Sequence, residues 1–365
     1  MLQDRTVQPE TDATIDRGEP IMRLDHLRRD FASRNGDITA VDNVSFDLYK
    51  GDILCLVGES GSGKTTVARM AAGLLKPTRG KVYFEGKDIY EMSKKEFGEY
   101  RRAVQIIHQD PYASLNPIHT VGDMLRAPLL KHKICRNRAE ATKRASELLE
   151  LVDCRPVENF IDKYPHQLSG GQRQRISIAR AMTLNPRVIV ADESVSMVDV
   201  SIRVSLLNTM LKLRNELGVT FLFITHDLSV VKYFAWEGNI GVMYVGKVVE
   251  YGRTPGVIGR SMHPYTRALA AAIPEADPDL TRSKEKLQLR SLDIPQLTEL
   301  PDGCVFHPRC PYWVQGLCDV KMPPLVRVAE DREVACHVVQ AIVERGGNPR
   351  DLEVTDQLAN ELMRK

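Results

Sequence analysis

The sequence has 365 residues, more than one typical domain, which predicts a large core domain with a smaller appended unit. Its 50 lysines and arginines nearly balance 48 acidic residues, leaving a formal net charge of +2, and this argues against nucleic acid as a partner because nucleic-acid binding needs a basic surface. No uncharged apolar run reaches the roughly 18 residues of a membrane-spanning helix. Residues 1–20 are polar and lack the apolar stretch of a signal peptide, so we expect a flexible N-terminal tail on a cytoplasmic protein.

Strand-like and helix-like segments then alternate along the chain. Residues 22–57 alternate between apolar and polar and end in a fully apolar run, which predicts antiparallel strands leading into a buried strand. A helix is expected over 66–75, and apolar positions at helical spacing over 138–152 predict a helical insert within 119–165. Apolar runs at 188–191 and 220–225 flank a predicted helix over 200–217, the pattern of a parallel sheet with a crossover helix. The predicted fold class is α/β, with a charged, proline-containing linker at 274–301.

A glycine-rich segment follows the first buried strand and precedes a helix. It contains the consecutive residues Gly58, Glu59, Ser60, Gly61, Ser62, Gly63, Lys64, Thr65 and Thr66. This segment matches the Walker A pattern in full, and backbone N–H groups of such a loop surround phosphate oxygens. Lys64 would bind the β and γ phosphates of ATP, and the Thr65 hydroxyl would bind Mg²⁺. The alternative is a glycine-rich turn that binds nothing.

Two adjacent carboxylates end the apolar run at 188–191. Asp192 and Glu193 would lie at the carboxyl edge of the sheet, beside the phosphates. We expect Asp192 to hold Mg²⁺ through water and Glu193 to polarise the attacking water as a general base. Taken alone, such a pair is more often a solvated turn.

Further motifs resemble those of the ABC ATPases. The segment LSGGQRQR at 168–175 is similar to the family's signature motif, which implies that Ser169, Gly170, Gly171 and Gln172 contact ATP bound to the Walker A segment of a partner chain. By the same resemblance Gln109 is the Q-loop glutamine and a ligand of Mg²⁺, Asp199 belongs to the D-loop, and His226 is the switch histidine. Phe31 resembles the aromatic residue that stacks on adenine. The implied architecture is a P-loop core with an antiparallel β subdomain and a helical subdomain.

Two segments narrow the resemblance to the ATPases of oligopeptide/dipeptide permeases. The sequence DPYASLNP at 110–117 is similar to their second ATPase type, and the family's C-terminal extension begins with a motif matched by His263, Pro264 and Tyr265. The resemblance implies a paralogous ATPase partner, two transmembrane permease subunits, an extracytoplasmic solute-binding protein and a position at the cytoplasmic face of the membrane. It implies import of peptides, with oligosaccharides or nickel as the alternative cargo. The expected domains are an ATPase domain at 21–262, an extension at 263–340 and a charged tail at 341–365.

The chain departs from the family pattern after the catalytic strand. Ser194 stands where the family usually has proline, and Met197 and Val198 replace the usual alanine and leucine of the D-loop. The charged groups of the motifs are retained, so we expect an active site with altered communication between the two ATP sites.

Four of the seven cysteines fall close together in the extension: Cys304, Cys310, Cys318 and Cys336. In a reducing compartment such clustering favours metal binding over disulfides. The spacing is wider than in usual structural zinc sites, and Cys310 precedes a proline as a ligand cysteine does in bacterial ferredoxins. The resemblance implies a [4Fe–4S] cluster, which some related ATPases carry at this element. Zinc with His337 as a substitute ligand and four reduced, unliganded thiols are the alternatives.

Overall fold

The computed structural model describes residues 18–33, 36–273 and 287–349, together with 352, 358 and 362. The predicted tail over 1–20 and the predicted linker over 274–301 therefore lie partly outside the described residues, as does most of the charged tail. Among the described residues, no helix is long and apolar enough to cross a membrane.

The elements alternate as the sequence predicts. In chain order, the strands are β1 (Met22–Phe31), β2 (Ile38–Leu48), β3 (Ile53–Val57), β4 (Arg79–Phe84), β5 (Lys87–Asp88), β6 (Val104–Ile107), β7 (Val188–Asp192), β8 (Thr220–Thr225), β9 (Asn239–Tyr244), β10 (Lys247–Arg253), β11 (Val326–Ala329) and β12 (Arg332–Val334). The helices are α1 (Lys64–Ala71), α2 (Lys94–Ala103), α3 (Pro111–Ser114), α4 (Val121–Lys131), α5 (Arg138–Leu151), α6 (Glu158–Ile161), α7 (Gly170–Met182), α8 (Val200–Leu217), α9 (Leu228–Phe234), α10 (Thr254–Gly259), α11 (Pro264–Ala271) and α12 (His337–Glu344), with one 3₁₀ turn at Pro165–Gln167.

Two sheets organise these elements. The smaller is antiparallel, in the order β2-β1-β4-β5, and is the expected β subdomain. The larger has the order β11-β12-β10-β9-β3-β8-β7-β6, and its strands from β9 to β6 are parallel. Strands β3, β7 and β8 are buried along their whole length, which explains their continuous apolar sequences. Their carboxyl ends meet at one edge of the sheet and place the motif residues there.

Local signals fix the ends of several helices. Asn137 caps α5, and Gly218 ends α8 in the left-handed conformation with φ of 67°. Helix α1 begins at Lys64, before the predicted start at 66, and ends before the predicted residue 75, because it gives way after Ala71 to a turn that contains Gly73, whose φ is 66°. Here the left-handed glycine, and not the apolar pattern, decides the end of the helix.

The C-terminal extension is joined to the main sheet. Strand β12 pairs antiparallel with β10, and β11 adds one more strand outside it. The buried ion pair between Arg332 and Glu250 spans the same junction, with Nη1 and Oε1 3.1 Å apart. The main sheet therefore crosses the predicted domain boundary at residue 263. A separate small core, which contains Val338, Val339, Leu352 and Leu358, packs behind this hairpin.

Candidate nucleotide site

The Walker A loop runs between β3 and α1 in a shape that only glycine permits at two positions. A Cβ atom at Gly58 would lie 2.1 Å from the carbonyl oxygen of Met243, and one at Gly63 would lie 2.4 Å from that of Ala40. Gly63 also has a φ of 94°, which side-chain-bearing residues rarely adopt. The loop is thus packed closely against its neighbours, and both positions require glycine.

The Lys64 side chain hydrogen-bonds to three residues of its own loop. Its ammonium group donates to the carbonyl oxygens of Gly58 and Glu59, both at 2.8 Å, and to the Ser62 hydroxyl at 3.1 Å. Burial lowers the pKa of Lys64, while the charges of Glu193, Asp192 and Glu59 oppose that shift. A phosphate group would supply the negative charge that this buried ammonium needs.

Asp192 and Thr65 form the group suited to Mg²⁺. The Thr65 hydroxyl donates to Oδ1 of Asp192 at 3.1 Å. Burial raises the pKa of Asp192, and the hydrogen bond from Thr65 works against this shift. A hydroxyl and a carboxylate side by side are oxygen ligands of the kind that Mg²⁺ binds, so these residues fit the ion.

Glu193 lies at the centre of the expected catalytic residues. Gln109 donates from Nε2 to its Oε2 at 2.9 Å, and Nδ1 of His226 lies 3.4 Å from its Oε1. The backbone of Glu193 is left-handed, with φ of 44°, and its N–H donates to the carbonyl oxygen of Ile224 in β8. A positive φ is uncommon for a residue that bears a side chain.

A cavity of about 640 Å³ lies over these groups. It is lined by the Walker A residues from Glu59 to Thr66 and by Gln109, Glu193 and His226, which the structure thereby brings together. Phe31, the expected adenine-stacking residue, does not line this cavity, and its ring lies instead against the Arg29 guanidinium at 4.8 Å. Leu269 and Leu297, which sequence reasoning did not single out, also line it.

The signature residues stand elsewhere, at the start of α7. Ser169 caps this helix, receiving the N–H of Gln172 at 3.3 Å, and Gln172 accepts the N–H of Ser169 at 3.0 Å. Ser169 is exposed, and none of the four residues lines the cavity around Lys64.

Asp199 is exposed at the start of α8, and Ser194 is buried with its hydroxyl lacking a hydrogen-bond partner among the described residues.

Two contacts to the Walker A loop come from the C-terminal part of the chain and were missed from the sequence. Arg309 makes a two-pronged ion pair with the Glu59 carboxylate, and the Tyr265 hydroxyl accepts the Glu59 N–H at 2.8 Å. The sequence offered one signal for these contacts: Glu59 is an acidic residue inside a loop of the phosphate-binding type, where its charge needs a compensating cation.

The four clustered cysteines line one small cavity of about 20 Å³. Burial raises the pKa of all four thiols, to about 12 for Cys304 and about 11 for Cys336. Among the described residues, however, no group of three or more His, Cys, Asp or Glu side chains forms a site that could hold a metal ion. Nε2 of His337 hydrogen-bonds to the Lys321 carbonyl oxygen at 2.9 Å, so this nitrogen is already engaged.

Comparison with known proteins agrees with this geometry. The family model described as "ABC transporter" matches residues 41–196, and "Oligopeptide/dipeptide transporter, C-terminal region" matches 249–318. A probable peptide ABC transporter ATP-binding protein, y4tS of Sinorhizobium fredii, is 42% identical over 301 residues, covering 82% of this chain and 83% of that protein. The oligopeptide transport ATP-binding protein AppF of Bacillus subtilis is 40% identical over 328 residues, covering 88% and 98%.

A solved structure shares the cassette fold. The ATP-binding cassette MJ0796, in its dimeric state bound to ADP and Pi, superimposes with a TM-score of 0.58 at 30% identity, covering 64% of this chain and 98% of that chain. The fold is thus an ABC ATPase cassette with mixed α/β content and an antiparallel β subdomain. By its motifs, its fold and its relatives, the chain belongs to the ATP-binding ATPases of ABC transporters, in the oligopeptide/dipeptide transporter family.

Proposed function

We propose that this chain binds and hydrolyses ATP to power the import of oligopeptides or dipeptides through an ABC transporter. The observation that carries the proposal is the convergence of Lys64, Glu193, Gln109 and His226 on one cavity. The peptide cargo rests on the names of the relatives, which are peptide or oligopeptide import ATP-binding proteins. Oligosaccharides or nickel remain the alternative cargo for the same catalytic role.

Each side chain at the cavity has a distinct task in this reaction. Lys64 holds the β and γ phosphates and gives up its internal hydrogen bonds to do so. Thr65, Asp192 and Gln109 would hold Mg²⁺, which neutralises phosphate charge when bound. Glu193 accepts the proton of the attacking water at a carboxylate oxygen, and Gln109 and His226 orient that carboxylate.

The position of the signature supports a dimer in which each chain completes the other's ATP site. Ser169 is exposed at a helix N-terminus and lies outside the cavity of its own chain, so it is free to bind phosphate on a partner. We propose that the partner is a paralogous ATPase, that both dock at the cytoplasmic face on two permease subunits, and that a solute-binding protein delivers the cargo. Full, cooperative ATP turnover by the purified single chain would contradict the paralogous partner.

The transport role is tested with the assembled transporter in lipid vesicles. ATP hydrolysis should rise when loaded peptide-binding protein is added, and radiolabelled peptide should accumulate on the ATP side. Stimulation by an oligosaccharide- or nickel-loaded binding protein, with no response to peptides, would assign the alternative cargo and leave the ATPase role unchanged.

We further propose that Cys304, Cys310, Cys318 and Cys336 hold a [4Fe–4S] cluster, although the described residues, as they lie in this structure, form no group of three or more that could hold a metal ion. Support comes from the donor set: the four thiols share one cavity, and the backbone N–H of Val314 donates to the Cys318 sulfur at 3.4 Å. Hydrogen bonds to cysteine sulfur and four thiolate donors are features of such clusters. Burial raises the pKa of these thiols, and the positive charge of bound iron would act in the opposite direction by favouring the thiolate form.

Anaerobic purification tests the cluster directly. We expect brown protein with about four irons per chain, the number set by this cluster type. Cys318→Ala should lose the iron, whereas Cys135→Ala, at a buried cysteine of the helical subdomain, should retain it. A folded, colourless preparation without iron or zinc would refute the proposal, and zinc in place of iron would assign the site to the alternative metal.

A further inference from the structure

The second residue of the Walker A loop is held by the C-terminal part of the chain. Glu59 has three polar groups, and each has a partner: its carbonyl oxygen accepts from Lys64 and from the Ser62 N–H, its N–H donates to Tyr265, and its carboxylate pairs with Arg309. The partners of its N–H and of its carboxylate lie beyond residue 263, more than 200 positions along the chain. The extension therefore holds both the backbone N–H and the side chain of Glu59.

The ion pair has the geometry of a strong interaction. Nη1 of Arg309 lies 2.7 Å from Oε2 of Glu59, and Nη2 lies 3.1 Å from Oε1, so the two side chains meet as parallel forks. The Arg309 side chain is 5% exposed and that of Glu59 26% exposed. Such a partly buried, two-pronged pair is far less screened than a surface ion pair.

A packed aromatic group fixes the position of Arg309. Its guanidinium lies 5.6 Å from the Tyr244 ring centroid and 5.8 Å from that of Phe306, and Nη1 also donates to the Tyr244 hydroxyl at 3.3 Å. The Tyr265 ring packs on both, with centroids 4.7 Å and 5.5 Å away. Arg309 and the Tyr265 hydroxyl are thus presented to the loop by one rigid cluster, which joins β9, α11 and the extension.

The charge of Glu59 matters because the loop binds a polyanion. Its carboxylate is close enough to act electrostatically on Lys64, the phosphate-binding lysine. An uncompensated carboxylate there would repel the phosphates of ATP, while a carboxylate neutralised by Arg309 leaves the loop ready for an anion.

We infer that Arg309 and Tyr265 are positioning residues of the nucleotide site, through which the C-terminal extension sets the affinity of the Walker A loop for ATP. Arg309 neutralises Glu59, and Tyr265 holds its backbone. Neither residue lines the nucleotide cavity, so both act through Glu59. This inference rests on the proposed role of the loop in ATP binding.

The test measures ATP binding to the full chain by calorimetry. Arg309→Met should raise the Kd for ATP about tenfold, because it leaves a negative charge unpaired beside the phosphates. The double variant Glu59→Gln/Arg309→Met removes that charge as well and should recover most of the lost affinity. Tyr265→Phe keeps the aromatic packing but removes the acceptor of the Glu59 N–H, and it should weaken binding by a few-fold, as expected for one hydrogen bond.

The matched control is Arg332→Met. It breaks the other buried ion pair of the extension, with Glu250, which does not contact the Walker A loop. This variant should lower thermal stability while leaving the Kd for ATP unchanged. A rise in Kd in Arg309→Met but not in Arg332→Met would therefore separate positioning from a general loosening of the extension.

The outcomes also separate this inference from the proposed function. If Lys64→Ala abolishes binding but Arg309→Met and Tyr265→Phe bind ATP as tightly as the wild type, the positioning role is refuted and the ATP site stands. Equal loss of affinity in Arg309→Met and in its double variant would likewise refute charge compensation. Binding unaffected by Lys64→Ala would overturn the site and the inference together.

Discussion

Replacing Glu193 with glutamine tests the reaction at its central group. The substitution keeps the size of the side chain and removes the negative charge that accepts the water proton. The hydrogen bond from Gln109 Nε2, now 2.9 Å from Oε2 of Glu193, can be retained if the new amide presents its oxygen there. Glu193 acts on Lys64 through its charge but makes no hydrogen bond to it, so the phosphate-binding ammonium keeps its position and phosphate binding should persist.

The expected loss is large in turnover and small in affinity. A positioned general base contributes roughly 10²–10⁴-fold, so the activation free energy should rise by about 3–5 kcal/mol. ATP Kd should change by less than about a factor of three, which corresponds to roughly 0.7 kcal/mol. ATP that binds without being hydrolysed should also trap the ATPase dimer.

The assay combines phosphate release by the assembled transporter with size-exclusion chromatography in ATP and Mg²⁺. Glu237→Gln is the matched control, since this carboxylate is 77% exposed and lies outside the cavity. Hydrolysis by Glu193→Gln at the rate of the control would show that Glu193 is not the base. Loss of ATP binding would show instead that Glu193 contributes to the affinity for ATP before the reaction begins.

Two further predictions concern binding and pH. Lys64→Ala removes the ammonium that would pair with phosphate and should raise the ATP Kd at least about 30-fold, as two or more kcal/mol imply; calorimetry showing wild-type affinity would contradict its role. His263 is buried, accepts the Tyr265 N–H on Nδ1, and has its pKa lowered by burial to about 3. Because the unfolded chain binds this proton more readily, stability is full above pH 6.5 and falls as the pH drops, by roughly 2–3 kcal/mol between pH 6.5 and 4.5. Urea unfolding of His263→Asn, which keeps a capping acceptor without the titration, should show a shallower pH dependence; an unchanged one would refute the assignment to His263.

The position and the glycines of the Walker A loop could be predicted because its signals are local. Gly58, Gly63 and Lys64 lie within seven positions, and the structure needs glycine where the pattern has it. The carboxyl ends of β7 and β8 follow from their apolar runs, so Glu193 and His226 are expected at one sheet edge. Their separation of 3.4 Å could not be read from the sequence, since it depends on the left-handed backbone at Glu193.

What the sequence left open involves residues far apart along the chain. The pairing of β12 with β10 joins Glu250 to Val334, and the three-residue sequence of β12 gave no sign of which sheet edge it would extend. The resemblance of Phe31 to the adenine-stacking residue stays a prediction, because the structure places its ring beside Arg29 and outside the cavity. The order of the motifs along the chain does not determine where the side chain at the end of β1 lies relative to the cavity.

The attachment of the extension explains how Arg309 and Tyr265 could influence ATP binding without lining the cavity. It is anchored at two places: β12 and Arg332 hold the sheet edge at β10, and Arg309 holds the Walker A loop. Arg309 is followed directly by Cys310, which lines the cysteine cavity. The Walker A loop and the cavity lined by the four thiols are therefore joined through two consecutive residues, so a shift of the backbone at Cys310 would move Arg309 relative to Glu59.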